Sequence, residues 1–185
     1  MNASGSNKVP GSLLPKLTLV LGGAASGKSR FAEGLVTDSG LAPVYIATAQ
    51  VWDDEMAAKI AAHKADRGTG WHTIEEPVYI GRALAGATEL QAVLVDCATL
   101  WLSNLMLADA NLAAAETGLF EALSGCPAPV VIVSNEVGQG IVPDNALARR
   151  FRNAQGALNQ RLAAQAALVI LVAAGLPLLL KGQLP

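Results

Sequence analysis

The apolar positions of this chain fall into two alternating kinds of segment. Short continuous runs at residues 17–21, 43–48, 92–97, 129–134 and 167–173 have the length and aliphatic, partly β-branched content of strands buried on both faces. A shorter strand is predicted at 71–74. Between these runs the spacing turns helical, over 28–36, 53–65, 79–86, 99–107, 113–123 and 143–166. Asp38-Ser39-Gly40 stops the first helix, Asp53 or Asp54 caps the second, and Gly68-Thr69-Gly70 breaks it. In the longest helix Leu147, Phe151, Ala154, Leu158 and Leu162 form one apolar stripe, with Arg149, Arg152, Asn153, Asn159 and Gln160 off it. The apolar run 166–180 is shorter than the ~20 residues a membrane span needs and is interrupted by Gly175 and Pro177; it predicts a last central strand followed by a turn. Apolar strands alternating with helices predict an α/β fold, a mainly parallel sheet with helices on both faces. Ligands of such sheets bind beyond the carboxyl ends of the strands.

The chemistry gathers at those ends. Directly after the first strand stands Gly22-Gly23-Ala24-Ala25-Ser26-Gly27-Lys28-Ser29, and a helix follows. Strand, glycine-rich loop and helix in that order make a P-loop, whose backbone N–H groups and helix N-terminus receive phosphate oxygens. Lys28 is expected to reach the β- and γ-phosphates, and the Ser29 hydroxyl to hold Mg²⁺. The strand at 92–97 carries Asp96 at its carboxyl end, the second expected ligand of Mg²⁺. Thr48 and Asn135-Glu136 also fall at strand ends.

Composition narrows the class. The 185 residues suit one domain, expected over 17–185 and preceded by a Ser/Gly/Asn/Pro-rich extension at 1–16 without fixed structure. That extension lacks the apolar stretch of a signal peptide, so a cytoplasmic protein that is not integral to a membrane is expected. A net charge of −2 supplies no basic field for nucleic acid. Cys97 and Cys126 sit in or beside apolar runs and read as buried reduced thiols, with no zinc spacing.

Further blocks carry a resemblance: Val44-Tyr45-Ile46-Ala47-Thr48-Ala49-Gln50, Asp53-Asp54-Glu55-Met56 with His63, and Trp71-His72-Thr73-Ile74-Glu75-Glu76-Pro77. Val95-Asp96-Cys97-Ala98-Thr99 through Asn104, Ser134-Asn135-Glu136-Val137-Gly138 through Pro143, and Leu158-Asn159-Gln160-Arg161-Leu162-Ala163 follow in order. With the P-loop they resemble the bifunctional adenosylcobinamide kinase/adenosylcobinamide-phosphate guanylyltransferase family of cobalamin biosynthesis, over about residues 17 to 182. The resemblance implies a P-loop, RecA-like fold and a homotrimer. It also implies two reactions: phosphorylation of adenosylcobinamide by ATP or GTP, then transfer of GMP from GTP to that phosphate through a guanylylated histidine. That histidine falls on His63, with Lys28 as the other catalytic residue. Nucleotide contacts fall on Gly22, Gly23, Ala24, Ala25, Ser26, Gly27, Lys28, Ser29, Ala47, Thr48, Ala49, Lys64, Ala65, Asp66, Arg67, Glu75 and Asp96. His72 has no such match and reads as structural. Ala25 stands where the family usually has arginine, which removes one positive charge from the loop.

A plain P-loop kinase with an alcohol acceptor is the alternative; it has no need of a nucleotidylated histidine. A nucleotide-dependent switch is a third reading. It lacks the Asn-Lys-x-Asp guanine signature, since the corresponding strand end reads Ser134-Asn135-Glu136-Val137.

Overall fold

The computed structural model describes residues 14–50 and 54–185; within the second helix the side chains of residues 55, 56, 59, 60, 62, 63 and 66 lie outside the described set. In chain order the elements are β1 (Leu17–Gly22), α1 (Lys28–Asp38), β2 (Ala42–Ala47), α2 (Asp54–Arg67) and β3 (His72–Glu75). They continue as α3 (Ile80–Ala85), β4 (Gln91–Asp96), α4 (Ala98–Leu107), α5 (Leu112–Gly125), β5 (Val130–Asn135), α6 (Ala146–Gln165), β6 (Leu168–Ala173) and β7 (Leu176–Lys181). The strands form one seven-stranded sheet in the order β3-β2-β4-β5-β1-β6-β7. Every neighbouring pair is parallel except β6 and β7.

Alternation along the strands divides the core into two layers. Leu17, Leu19, Val93, Val95, Val130 and Ile132 pack against α3 to α6, where Ile80, Leu84, Trp101, Leu102, Leu119, Leu158 and Leu162 are buried. Val20, Leu94, Val131, Val133 and Ile170 face the other way, against Ala32 and Val36 of α1. Burying a leucine, isoleucine or valine of this kind contributes about 1.5–3 kcal/mol, so each layer far outweighs any single polar contact. Helices therefore cover both faces, as the alternating pattern predicts.

Two boundaries differ from the sequence reading. Leu14 is buried in the α1 layer and the Lys16 ammonium donates to the Cys126 carbonyl, so the packed chain begins by Leu14. Asp53, the alternative cap of α2, lies outside the described residues. The long helix starts at Ala146 rather than near Pro143, because the Asn145 side chain accepts from Ala148 N at 2.7 Å and caps it there.

A further difference is β7, where a turn was expected. Ala174 and Gly175, with φ of 51° and 77°, make a tight left-handed reversal that sends the chain back along β6. Pro177 is tolerated because β7 is the outermost strand.

Candidate active site

The phosphate loop is shaped by contacts that permit no side chain at its start. A Cβ at Gly22 would stand 2.4 Å from Ser26 Oγ and 2.7 Å from the Val172 carbonyl oxygen. Ala25 and Gly27 take left-handed conformations, with φ of 53° and 90°, and hand the chain to α1 at Lys28. Inside the loop Ser26 N donates to the Gly23 carbonyl at 3.3 Å. From outside, the β6–β7 turn braces it, Gly175 N donating to the Ser26 carbonyl at 2.8 Å. No side chain caps α1, so its first amides are left for an anion. The Lys28 ammonium donates to the Gly23 carbonyl at 3.1 Å and lies folded across its own loop.

Beside the loop opens a cavity of about 1110 Å³ at the carboxyl ends of β1 to β5. Of the residues singled out from the sequence, Ala25, Ser26, Gly27, Lys28, Ser29, Ala47, Ala49, Lys64, Arg67, Glu75 and Asp96 line it. Gly22, Gly23 and Ala24 form the loop behind that wall. Ala65 is exposed on α2 but off the wall. The side chains of His63 and Asp66 lie outside the described residues; α2, which carries both, borders the cavity through Lys64 and Arg67.

Thr48 is set back from the wall. It is fully buried, and its hydroxyl donates to the Cys97 carbonyl at 2.8 Å and accepts from Cys97 N at 2.7 Å. Its own carbonyl accepts from Asn104 Nδ2 at 2.8 Å. Thr48 therefore ties the ends of β2 and β4 together and is not on the wall.

Several wall residues were not foreseen. Tyr45 is the most informative. Its hydroxyl donates to Asp96 Oδ2 at 3.2 Å, and the Arg67 guanidinium lies over its ring, 3.5 Å from the centroid. Trp71 meets the ring edge-on at 6.0 Å, and Arg67 also donates to Thr73 Oγ1 at 3.3 Å. Period-two alternation offered the signal: Tyr45 shares a sheet face with Ala47, which was expected at the site. Burial, and then the Asp96 carboxylate, push the Tyr45 hydroxyl far above its ordinary range. Cys97 is buried and free, as expected; burial, and then the adjoining Asp96 charge, push its thiol from 9.0 up to about 12. Asn135 and Leu100 complete the wall on the α4 and β5 side.

The donors for a metal ion are limited and consistent. Among the described residues no group of three or more His, Cys, Asp or Glu side chains could enclose one. Ser29, with its hydroxyl, and Asp96, with its carboxylate, both line the cavity. Two hard oxygens beside a phosphate loop suit a small divalent cation that takes its remaining ligands from phosphate and water. Among the described residues no helix is long and apolar enough to cross a membrane.

Comparison with known proteins agrees with this geometry. A family model described as cobinamide kinase / cobinamide phosphate guanyltransferase matches residues 18–180. The chain is 46% identical over 168 residues to the bifunctional adenosylcobalamin biosynthesis protein CobP of Pseudomonas aeruginosa, covering 89% of this chain and 97% of that one. It is 43% identical over 181 residues to the bifunctional adenosylcobalamin biosynthesis protein CobU of Salmonella typhimurium, covering 89% and 99%. Among solved structures, the flagellar accessory protein FlaH from Methanocaldococcus jannaschii superposes with a TM-score of 0.53 at 11% identity, covering 95% of this chain and 83% of that one. That likeness concerns the fold alone, which is the P-loop, RecA-like α/β class.

Proposed function

Because the chain belongs to the cobinamide kinase / cobinamide phosphate guanyltransferase family, we propose that it phosphorylates adenosylcobinamide with ATP or GTP and then transfers GMP from GTP to the product through His63. The observation that carries this reading is that the phosphate loop and the helix bearing His63 border one cavity, through Lys28 and Ser29 on one side and Lys64 and Arg67 on the other. One triphosphate in the loop then offers its γ-phosphorus to an acceptor hydroxyl, or its α-phosphorus to a histidine.

Lys28 leaves the Gly23 carbonyl for the β- and γ-oxygens, exchanging a neutral acceptor for charged ones. The unclaimed amides of α1 hold the same phosphates without reorganisation. Ser29 and Asp96 would hold Mg²⁺, which would supply charge neutralisation at the phosphates. In the second reaction a neutral His63 imidazole attacks the α-phosphorus and pyrophosphate leaves. The substrate phosphate then displaces the imidazole. Lys64, Arg67 and Glu75 border the same cavity and are assigned to the nucleotide. The working assembly is taken to be a homotrimer in the cytoplasm.

Incubation with GTP labelled at either phosphorus tests the reading. The γ label is expected on adenosylcobinamide, and the α label on the protein as an acid-labile, base-stable phosphoramidate before it reaches the corrinoid. Phosphorylation without any protein-bound α label would leave a plain kinase.

A further inference from the structure

Four polar side chains are buried behind the cavity in an otherwise apolar layer. Thr99 of α4 and Ser134 of β5 bring their hydroxyls to 3.5 Å. Ser134 Oγ donates to Asn159 Oδ1 at 2.6 Å and accepts from Gln155 Nε2 at 2.8 Å. Gln155 Nε2 also reaches Asn159 Oδ1 at 2.9 Å, one turn along α6. Buried polar groups are costly unless paired; of this network only Gln155 Oε1 is without a partner among the described residues, and a network so paired fixes whatever it touches.

What this network touches is the main chain of Asn135. Asn135 N donates to Thr99 Oγ1 at 2.7 Å, and the Asn135 carbonyl accepts from Asn159 Nδ2 at 3.0 Å. The side chain is left out of these bonds. Asn135 lines the cavity, and neither polar atom of its carboxamide has a hydrogen-bond partner among the described residues; Oδ1 is buried, which leaves Nδ2 as the donor open to a ligand. Its place in the sheet gives this meaning. β5 lies between β1 and β4, Asn135 is in register with Gly22, and Asp96 with Val133. The carboxamide therefore stands at the strand end between the phosphate loop and Asp96.

We propose that Asn135 contacts the terminal phosphoryl group during its transfer to the acceptor hydroxyl, and that Thr99, Ser134, Gln155 and Asn159 are positioning residues that hold it there. The proposal rests on the kinase reading above. In that step the hydroxyl oxygen bonds to the γ-phosphorus and the bond from that phosphorus to the bridging oxygen breaks. The bridging electron pair leaves with the nucleoside diphosphate, and the hydroxyl proton passes to water. A carboxamide donates to the equatorial oxygens as their charge changes, without taking a proton. The α-phosphorus lies two phosphates away, so Asn135 serves the first reaction and not the attack by His63.

The test uses Asn135→Ala and Asn159→Ala in the full chain. Loss of one fixed donor at the reacting phosphoryl should lower kcat for phosphorylation of adenosylcobinamide by about 100-fold in Asn135→Ala. GDP affinity should stay within about twofold, because GDP has no γ-phosphate, and at saturating GTP the α label bound to the protein should fall no more than about threefold, because that reaction breaks its bond at the α-phosphorus. The preference for a non-hydrolysable triphosphate over GDP should drop about tenfold, a readout that needs no corrinoid and survives failure of the kinase reading. Asn159→Ala should follow the same pattern in milder form. If Asn135→Ala does not fold, the isosteric Asn135→Asp takes its place, with a larger loss of triphosphate preference. Unchanged phosphorylation and triphosphate preference, or protein labelling that falls as far as phosphorylation, would overturn the proposal.

Discussion

Tyr45 donates its hydroxyl to Asp96 Oδ2 at 3.2 Å, so a buried phenol holds one oxygen of a carboxylate that lines the same cavity as the phosphate loop. The ring of the same residue carries Arg67, the last residue of α2, 3.5 Å from its centroid. One side chain thus joins the end of the helix that bears His63 to the end of β4. Tyr45→Phe keeps the ring under Arg67 and removes only the hydrogen bond, so folding stability should fall by about 0.5–1.5 kcal/mol. Tyr45→Leu loses the cation–π contact as well and should cost about 0.5–2 kcal/mol more. Urea denaturation of both variants, with Arg67→Ala in a double-mutant cycle, measures the two contributions. No coupling between positions 45 and 67 would show the stack to be incidental.

Lys28→Ala removes the ammonium that lies across the loop and leaves the loop's own backbone bonds in place. Affinity for GTP should fall by about 1.5–3 kcal/mol, the worth of a charge-assisted contact to phosphate, with little change in thermal stability. Titration calorimetry reads the first quantity and a thermal melt the second. Equal affinity for wild type and variant would remove Lys28 from the phosphate site.

His63→Ala should separate the two reactions, because only guanylyl transfer requires a nucleophile on the protein. Phosphorylation of adenosylcobinamide should continue while α label on the protein disappears. His72, exposed at the start of β3, is the control and should label like wild type when changed to alanine. Label that persists in His63→Ala would move the nucleophile elsewhere.

Cys97 makes a pH-dependent contribution of defined sign. Its thiol is raised from 9.0 to about 12 in the folded chain, so the unfolded chain loses this proton first as pH rises. The contribution is complete below pH 9 and is lost progressively towards pH 12. Tyr45, also raised by burial, acts in the same direction. Stability measured by denaturant between those limits should fall with a steeper slope in wild type than in Cys97→Ala. Near pH 8 the folded chain should resist alkylation at Cys97, which urea should abolish. An equal slope in both proteins would contradict the assignment.

The strands and the phosphate loop were legible because each is local. Continuous apolar runs such as Ala92 to Val95 have one stable use, burial on both faces, and Gly22 to Ser29 carries its own turn chemistry. What escaped depends on partners distant in sequence. Leu147 belongs to the apolar stripe of α6 yet is exposed, since it lies in the helix's first turn. Asn159 was set off that stripe and is buried, because Ser134, 25 positions away, supplies its hydrogen bond. Hydrophobic periodicity treats every polar residue as wet and cannot identify one that a neighbour satisfies. β7 escaped because all of its residues are exposed, so its apolar content reflects no core face. Tyr45 read as an ordinary strand aromatic until α2 placed Arg67 upon it.

The reversed direction of β7 also settles how this molecule can be handled. β1 begins at the edge of the sheet opposite the cavity, since the parallel strands all finish at the cavity. β7 runs back towards that opposite edge, pairing Lys181 with Val169 and anchoring the Lys181 ammonium on the carbonyls of Ala163 and Ala164 at 3.0 Å. The described chain therefore enters and leaves on the side away from the cavity. A surface tether or fluorescent label placed beyond β7 would leave the mouth of the cavity open to a substrate as bulky as a corrinoid.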